Sequence, residues 1–151
     1  MYHTIVKRLV RNGYRQISNA DFDSLLKMFD PNIHFTFSGQ HAMAGDFHRR
    51  DTVRKWFERV HRFFPGLTIE AQRIVVSGMP WNTQVAVQFK VRDTLPDGHT
   101  YTNQGTQFMR IVWGKVVEDH LIEDTQVLHE TLRCLSEQGV SEAMQTPLRD
   151  A

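Results

Sequence analysis

The chain has 151 residues, a formal charge of +1, and 40% apolar against 23% charged residues, the make-up of one globular domain spanning 1–151. The near-zero charge argues against a dedicated nucleic-acid binder, and the lack of any long apolar run or of a signal pattern at Met1-Tyr2-His3 argues against a membrane partner. Cys134 is the only cysteine, so no internal disulfide forms, and a cytoplasmic location is expected.

From the N-terminus, Val6, Leu9, Val10, Tyr14 and Ile17 recur at helical spacing over residues 5–18, with Arg8, Arg11 and Arg15 opposite. Gly13 weakens this helix by roughly 1 kcal/mol relative to alanine, and suggests a close approach by another element. Asn19 or Asp21 caps a short second helix carrying Phe22, Leu25, Leu26 and Phe29, which Asp30-Pro31-Asn32 ends. Ile33–Phe37 alternates and reads as a strand, and residues 38–50 read as a loop. Asp51 and Thr52 offer cap oxygens to a third helix, whose apolar face is Val53, Trp56, Phe57, Val60, Phe63 and Phe64. Its other side, Arg49, Arg50, Arg54, Lys55, Arg59 and Arg62, reads as a solvated basic face.

Pro65-Gly66 stops that helix, and strands follow over 67–77 and 83–92. Pro96-Asp97-Gly98 then leads into Tyr101–Leu128, two long arms joined at Trp113-Gly114-Lys115. Period-two geometry puts Tyr101, Asn103, Gly105, Gln107, Met109 and Ile111 on one face of the first arm. Val117, Asp119, Leu121 and Glu123 share a face of the second, provided no bulge intervenes. Asp124 reads as the cap of a C-terminal helix from about 125 to 137, followed by a polar tail. Helices first and antiparallel strands later indicate an α+β fold: a cone of curved, mostly antiparallel sheet around the N-terminal helices.

This order resembles the nuclear transport factor 2-like superfamily, and within it the SnoaL-like polyketide cyclases. The likeness runs from about Leu9 to Leu135. It is most specific in Gln107-Phe108-Met109-Arg110-Ile111-Val112-Trp113-Gly114-Lys115-Val116, with weaker matches at Ala44-Gly45-Asp46, Phe64-Pro65-Gly66-Leu67 and Asp124-Thr125. The resemblance implies a cystatin-like α+β barrel, no cofactor, and a homodimer. It also implies a pocket for a small hydrophobic molecule, with acid–base chemistry of the cyclase, isomerase or dehydratase type. The catalytic residues carry over incompletely. The cyclases' carboxylate on the last strand falls on Leu121, their preceding-strand histidine on Gln107, and the isomerases' general base near Phe37.

The inward face supplies substitutes. Asp119 and Gln107 are the candidate catalytic pair, a desolvated acid beside an amide donor. Tyr14, Phe35, Phe37, Trp56, Asn103, Met109, Leu121 and Glu123 are the candidate ligand contacts. Asp119 and Glu123 have a competing reading, as partners of an arginine or as side chains a bulge turns to solvent. Asn103 and Gln107 are equally consistent with pairing to each other and to ordered water, and Tyr14 with plain core packing. His41 and His48 share a loop without the spacing of a metal site, so no metal is expected. Loss of the family carboxylate at Leu121 leaves a second function class open, a non-catalytic cone that binds a ligand or a partner protein.

Overall fold

A computed structural model describes residues 1–151. In chain order the elements are α1 (Tyr2–Ser18), α2 (Phe22–Leu26), β1 (Phe29–Phe37), β2 (Gly45–Phe47), α3 (Arg50–Phe63), β3 (Thr68–Met79), β4 (Asn82–Thr94), β5 (Thr100–Val112), β6 (Lys115–Glu123) and α4 (Thr125–Glu137), followed by a 3₁₀ turn at Ser141–Met144. The architecture is α+β. Six strands form one curved sheet in the order β2-β1-β6-β5-β4-β3, with β1 and β6 parallel and every other pair antiparallel. The sheet does not close into a barrel. The three-residue β2 ends one side and the twelve-residue β3 the other, and so short a strand cannot seam the length of β3.

The β3–β6 meander follows from alternation. On β4, Val85, Val87, Phe89 and Val91 are buried while the residues between them are exposed. Trp113 and Gly114 both sit at positive φ, 50° and 79°, the pairing that a two-residue hairpin turn requires to match strand twist. The Trp113 N–H donates to the Pro80 carbonyl oxygen at 2.7 Å, tying this turn to the β3–β4 turn.

Helix α1 buries Val6, Val10 and Tyr14 and lies against β3, while α3 buries Val53, Trp56, Phe57, Val60 and Phe63 and lies against β1. Together with the inward strand residues they form one apolar core of 32 buried side chains.

Several local expectations are corrected. α2 ends at Leu26 and β1 begins at Phe29, so Phe29 is a strand residue and Asp30-Pro31-Asn32 lies inside β1, where it neither ends the helix nor breaks the strand. Pro31 lacks an N–H, and it falls in the stretch between Phe29 and His34 where the ladder to β6 is interrupted. The loop 38–50 contains β2, paired with β1 through Phe35↔Phe47. Helix α3 starts at Arg50 with Arg49 at the N-cap and no side-chain cap, so neither Asp51 nor Thr52 serves that role. Arg59 is not on a solvated face: it is 5% exposed and donates to Glu142 Oε1, Ala42 O and Thr146 O. A Cβ on Gly13 would meet Leu25 Cδ1 at 3.6 Å, an ordinary contact, so no close approach requires the glycine.

Candidate functional site

A cavity of about 90 Å³ lies between α1, α3 and the inner faces of β5 and β6. Its walls are apolar: Leu9, Val10, Leu25, Trp56, Phe57, Val60, Phe64, Met109 and Ile111 are among them. The side chains that bring hydroxyl, amide or carboxyl groups to it are Tyr14, Tyr101, Gln107, Asp119 and Glu123.

Register determines which of these face inward. Between β5 and β6 the pairing steps from Arg110↔Glu118 to Ile111↔Val116, leaving Val117 as the extra residue of a bulge. Val116 therefore takes the inward place expected for Val117, and is 3% exposed. Past the bulge the expected parity holds: Met109 pairs with Asp119, Gln107 with Leu121 and Gly105 with Glu123. Gly105 is required there. A Cβ would approach Ile122 O to 2.4 Å and Glu123 Cγ to 2.9 Å, so the glycine leaves the space that Glu123 fills.

The polar groups form two short chains. In the first, the Tyr14 hydroxyl donates to Gln107 Oε1 at 2.6 Å, and Gln107 Nε2 donates to Asp119 Oδ1 at 2.8 Å. In the second, Asn103 Nδ2 donates to the Tyr101 hydroxyl at 3.2 Å, which donates to Glu123 Oε1 at 3.2 Å. Asp119 is 2% exposed, and no arginine, lysine or histidine pairs with it. Burial raises its carboxyl from 3.8 to about 7, against the smaller lowering effect of the Gln107 hydrogen bond. Burial likewise raises Glu123 from 4.5 to about 7, opposed by the hydrogen bond from Tyr101. The Tyr14 phenol is held far above its usual range by burial and by the charges of Asp119 and Glu123, so it stays protonated and acts as a donor.

Of the expected site residues, the structure brings Tyr14, Trp56, Gln107, Met109, Asp119, Leu121 and Glu123 to the cavity. Three do not line it. Phe35 stacks on Phe47 at 6.0 Å between ring centres and abuts Trp56 at 4.9 Å, and Phe37 abuts Trp56 at 5.3 Å, so both stand behind the Trp56 wall. Asn103 spends its amide on the Tyr101 hydroxyl and on the Asp124 carbonyl, joining β5 to the start of α4. Asp124 caps α4, accepting from the backbone N–H groups of Gln126 and Val127. Tyr101 is the site residue that the sequence reading left out of its candidates, although alternation had already placed it on the inward face. It lies under Phe64, with ring centres 4.6 Å apart.

A sequence model of the SnoaL-like domain matches residues 10–119. No curated protein matches the chain. Among solved structures, a nuclear transport factor 2-like protein of unknown function from Burkholderia pseudomallei superposes with a TM-score of 0.70 at 20% identity, covering 86% of this chain and 96% of its own. IdmH, a candidate polyketide cyclase from Streptomyces antibioticus, gives 0.69 at 20% identity, covering 84% and 97%. AclR, a candidate hydroxylase from Streptomyces galilaeus, gives 0.67 at 22% identity, covering 87% and 84%. At these identities the likeness to the solved structures is one of fold.

Proposed function

This chain belongs to the SnoaL-like domain family, and from that premise we propose that its cavity holds a small, largely apolar carbonyl compound and that Asp119 moves a proton on it. One observation carries this reading: a fully enclosed carboxylate, without a cation, set in an apolar cavity. A base whose pKa lies near neutrality is matched to proton abstraction at neutral pH. Asp119 Oδ1 is held by Gln107, and its second oxygen is the one available to take a proton from a carbon next to the carbonyl. As that C–H bond breaks, its electron pair moves toward the carbonyl oxygen. Gln107 retains a second amide hydrogen to donate there, and the apolar walls strengthen that hydrogen bond. Where a C=C bond adjoins the carbanion, return of the proton at its far carbon gives isomerisation. Where the same molecule carries a second carbonyl, attack on its carbon breaks the C=O π bond, and the alkoxide takes the proton back from Asp119 to complete cyclisation. IdmH, the candidate polyketide cyclase among the structural neighbours, shares the fold on which this reading is built.

A second reading, a binding cone without catalysis, is favoured by a specific feature. Tyr14, Gln107 and Asp119 already satisfy one another, as do Asn103, Tyr101 and Glu123. Proton exchange separates the two readings. Incubated in D₂O with a panel of small apolar ketones, the wild type is expected to introduce deuterium next to the carbonyl, read by NMR. Asp119→Asn is expected to slow exchange by about 10² or more. Ligand-induced shifts in the protein spectrum without any exchange would support the binding cone, and exchange equally fast in Asp119→Asn would remove Asp119 from the mechanism.

A further inference from the structure

The outer side of the sheet carries a second cluster of titratable groups at the β1–β2 edge. The register Phe35↔Phe47 and Thr36↔Asp46, continued by one residue, sets His48 opposite His34. Asp46 lies two residues from His48 and shares its side of the ribbon by alternation. Phe35 and Phe47, both 0% exposed, anchor the opposite side of the same ribbon in the core, so the backbone beneath the cluster is fixed. The His48 N–H is held from a further direction, donating to Asp150 Oδ2 at 2.7 Å.

The side chains converge. His34 Nε2 lies 2.9 Å and His48 Nε2 3.4 Å from the same oxygen, Asp46 Oδ1. The two imidazoles are stacked, their centres 4.3 Å apart and their planes within 13°, so an ion held in the plane of both rings requires one ring to turn about its side-chain torsions. A tetrahedral ion with bonds of about 2.1 Å places its ligand atoms about 3.4 Å apart. Two of the three pairs, at 2.9 and 3.4 Å, already stand near that separation, and all ligand atoms of the trio lie within 4.8 Å of one another.

We propose that His34, Asp46 and His48 form a binding site for a divalent transition-metal ion of the zinc class, through Nε2, Oδ1 and Nε2. Two imidazoles with one carboxylate suit Zn²⁺, Co²⁺ or Ni²⁺ better than Mg²⁺ or Ca²⁺, which take all-oxygen shells. The Asp46 and His48 side chains are 69% and 63% exposed, so the ion enters without rearrangement of the fold and keeps water in its remaining coordination positions. A neighbouring trio, His34 with Glu118 and His120, is less suitable because its members are engaged. Arg110 Nε donates to Glu118 Oε2 at 2.7 Å, and Thr36 Oγ1 is hydrogen-bonded to His120 Nδ1 at 2.7 Å. Sequence spacing shows only Asp46-Phe47-His48; the third ligand comes from a strand that the fold brings alongside.

The test is a Co²⁺ titration of tag-free, chelator-treated protein, followed by visible absorption. One equivalent is expected to bind with the band of a low-coordinate nitrogen–oxygen site, and Zn²⁺ is expected to displace it. Losing a ligand should weaken binding at least as much as losing an outer-shell partner does, about 10–100-fold. His34→Gln, Asp46→Asn and His48→Gln should each do so with circular dichroism unchanged, since Asp46 and His48 are exposed. His99→Gln should leave binding intact, although His99 lies 2.7 Å from Asp97, because that pair lacks a third ligand. His120→Gln should also leave it intact. Absence of Co²⁺ binding, or loss in His120→Gln with retention in His48→Gln, would overturn the assignment.

Discussion

At Asp119 burial has lifted a carboxyl to about pH 7 with no cation beside it, and that cost falls on folding. Below about pH 4 Asp119 is protonated in both folded and unfolded chains, and the stability it leaves to the fold is fully present. As pH rises the unfolded chain ionises first, and stability falls until the folded carboxyl also ionises near pH 7. For Asp119 the loss is on the order of 4 kcal/mol, and Glu123 adds in the same direction. Urea melts are therefore expected to show a less stable wild type at pH 8 than at pH 5. Asp119→Asn should flatten that slope and exceed the wild type in stability at pH 8, the same substitution that is expected to slow exchange. A slope unchanged in Asp119→Asn would mean that this carboxyl does not titrate as its burial requires. Asp119 and Gln107 were legible from sequence because period-two alternation survives the bulge. Tyr14 as the partner of Gln107 was not, since the bond joins residues 93 apart and alternation gives no distance across the core. Phe35 and Phe37 were misplaced for a related reason: inward-facing is a statement about a sheet, whereas lining the cavity depends on whether Trp56 stands in between.

Among the elements, α3 and the meander were readable because their patterns are long and regular, while β2 was not. Three residues, Gly45-Asp46-Phe47, show no period, and their strand character comes from pairing with β1. Helix α3 holds the aromatic wall. Phe57 is 5% exposed and meets Phe22, Phe29, Phe35 and Trp56 with ring centres 5.7, 6.3, 6.2 and 5.0 Å away. Phe57→Ala should cost about 3–5 kcal/mol in a denaturant melt, because the lost ring leaves a void that so crowded a cluster cannot fill. A loss well below 1 kcal/mol would take α3 out of the core. The 3₁₀ turn is tied to α3 by charge. Glu142 Oε1 lies 3.0 Å from Arg59 Nε and 2.7 Å from Arg62 Nη2, and hydrogen bonds from Arg62 and then Arg59 lower its carboxyl to about 2. Glu142→Gln leaves the buried Arg59 without its counter-charge and should cost about 1.5–3 kcal/mol at neutral pH. Because the folded pKa is lowered, this contribution is present above about pH 4.5 and lost as pH falls through 2. The variant and the wild type should therefore converge in acid; an equal gap at pH 7 and pH 2 would assign the effect to packing.

For the whole molecule, the unexplained surface is the outer face of the sheet. Register aligns Val75 with Ala86, Ala86 with Phe108 and Phe108 with His120, one row across four strands. Val75 is 53% exposed, Phe108 42% and Ile122 58%, and Thr100, Thr102, Gln104 and Thr106 bring no charge to the same face. A long, curved sheet with apolar side chains on its solvent side is better covered than bare. We propose that a second copy of the chain covers it, since one face meeting itself about a two-fold axis needs only self-complementarity. Light scattering at micromolar concentration should then give about twice 17.6 kDa. Phe108→Glu places a charge at the centre of the row, and in a dimer two such charges face each other. It should shift the mass toward that of the monomer while leaving the Asp119 cavity intact, because Phe108 points away from it. Ile122→Lys, in the adjacent row beside Thr106, should act in the same direction. A wild type that scatters as a monomer would leave the face without a partner copy. A dimer indifferent to both substitutions would move the contact to another surface, with the exposed pair Trp81 and Trp113 at the hairpin tips the next to examine.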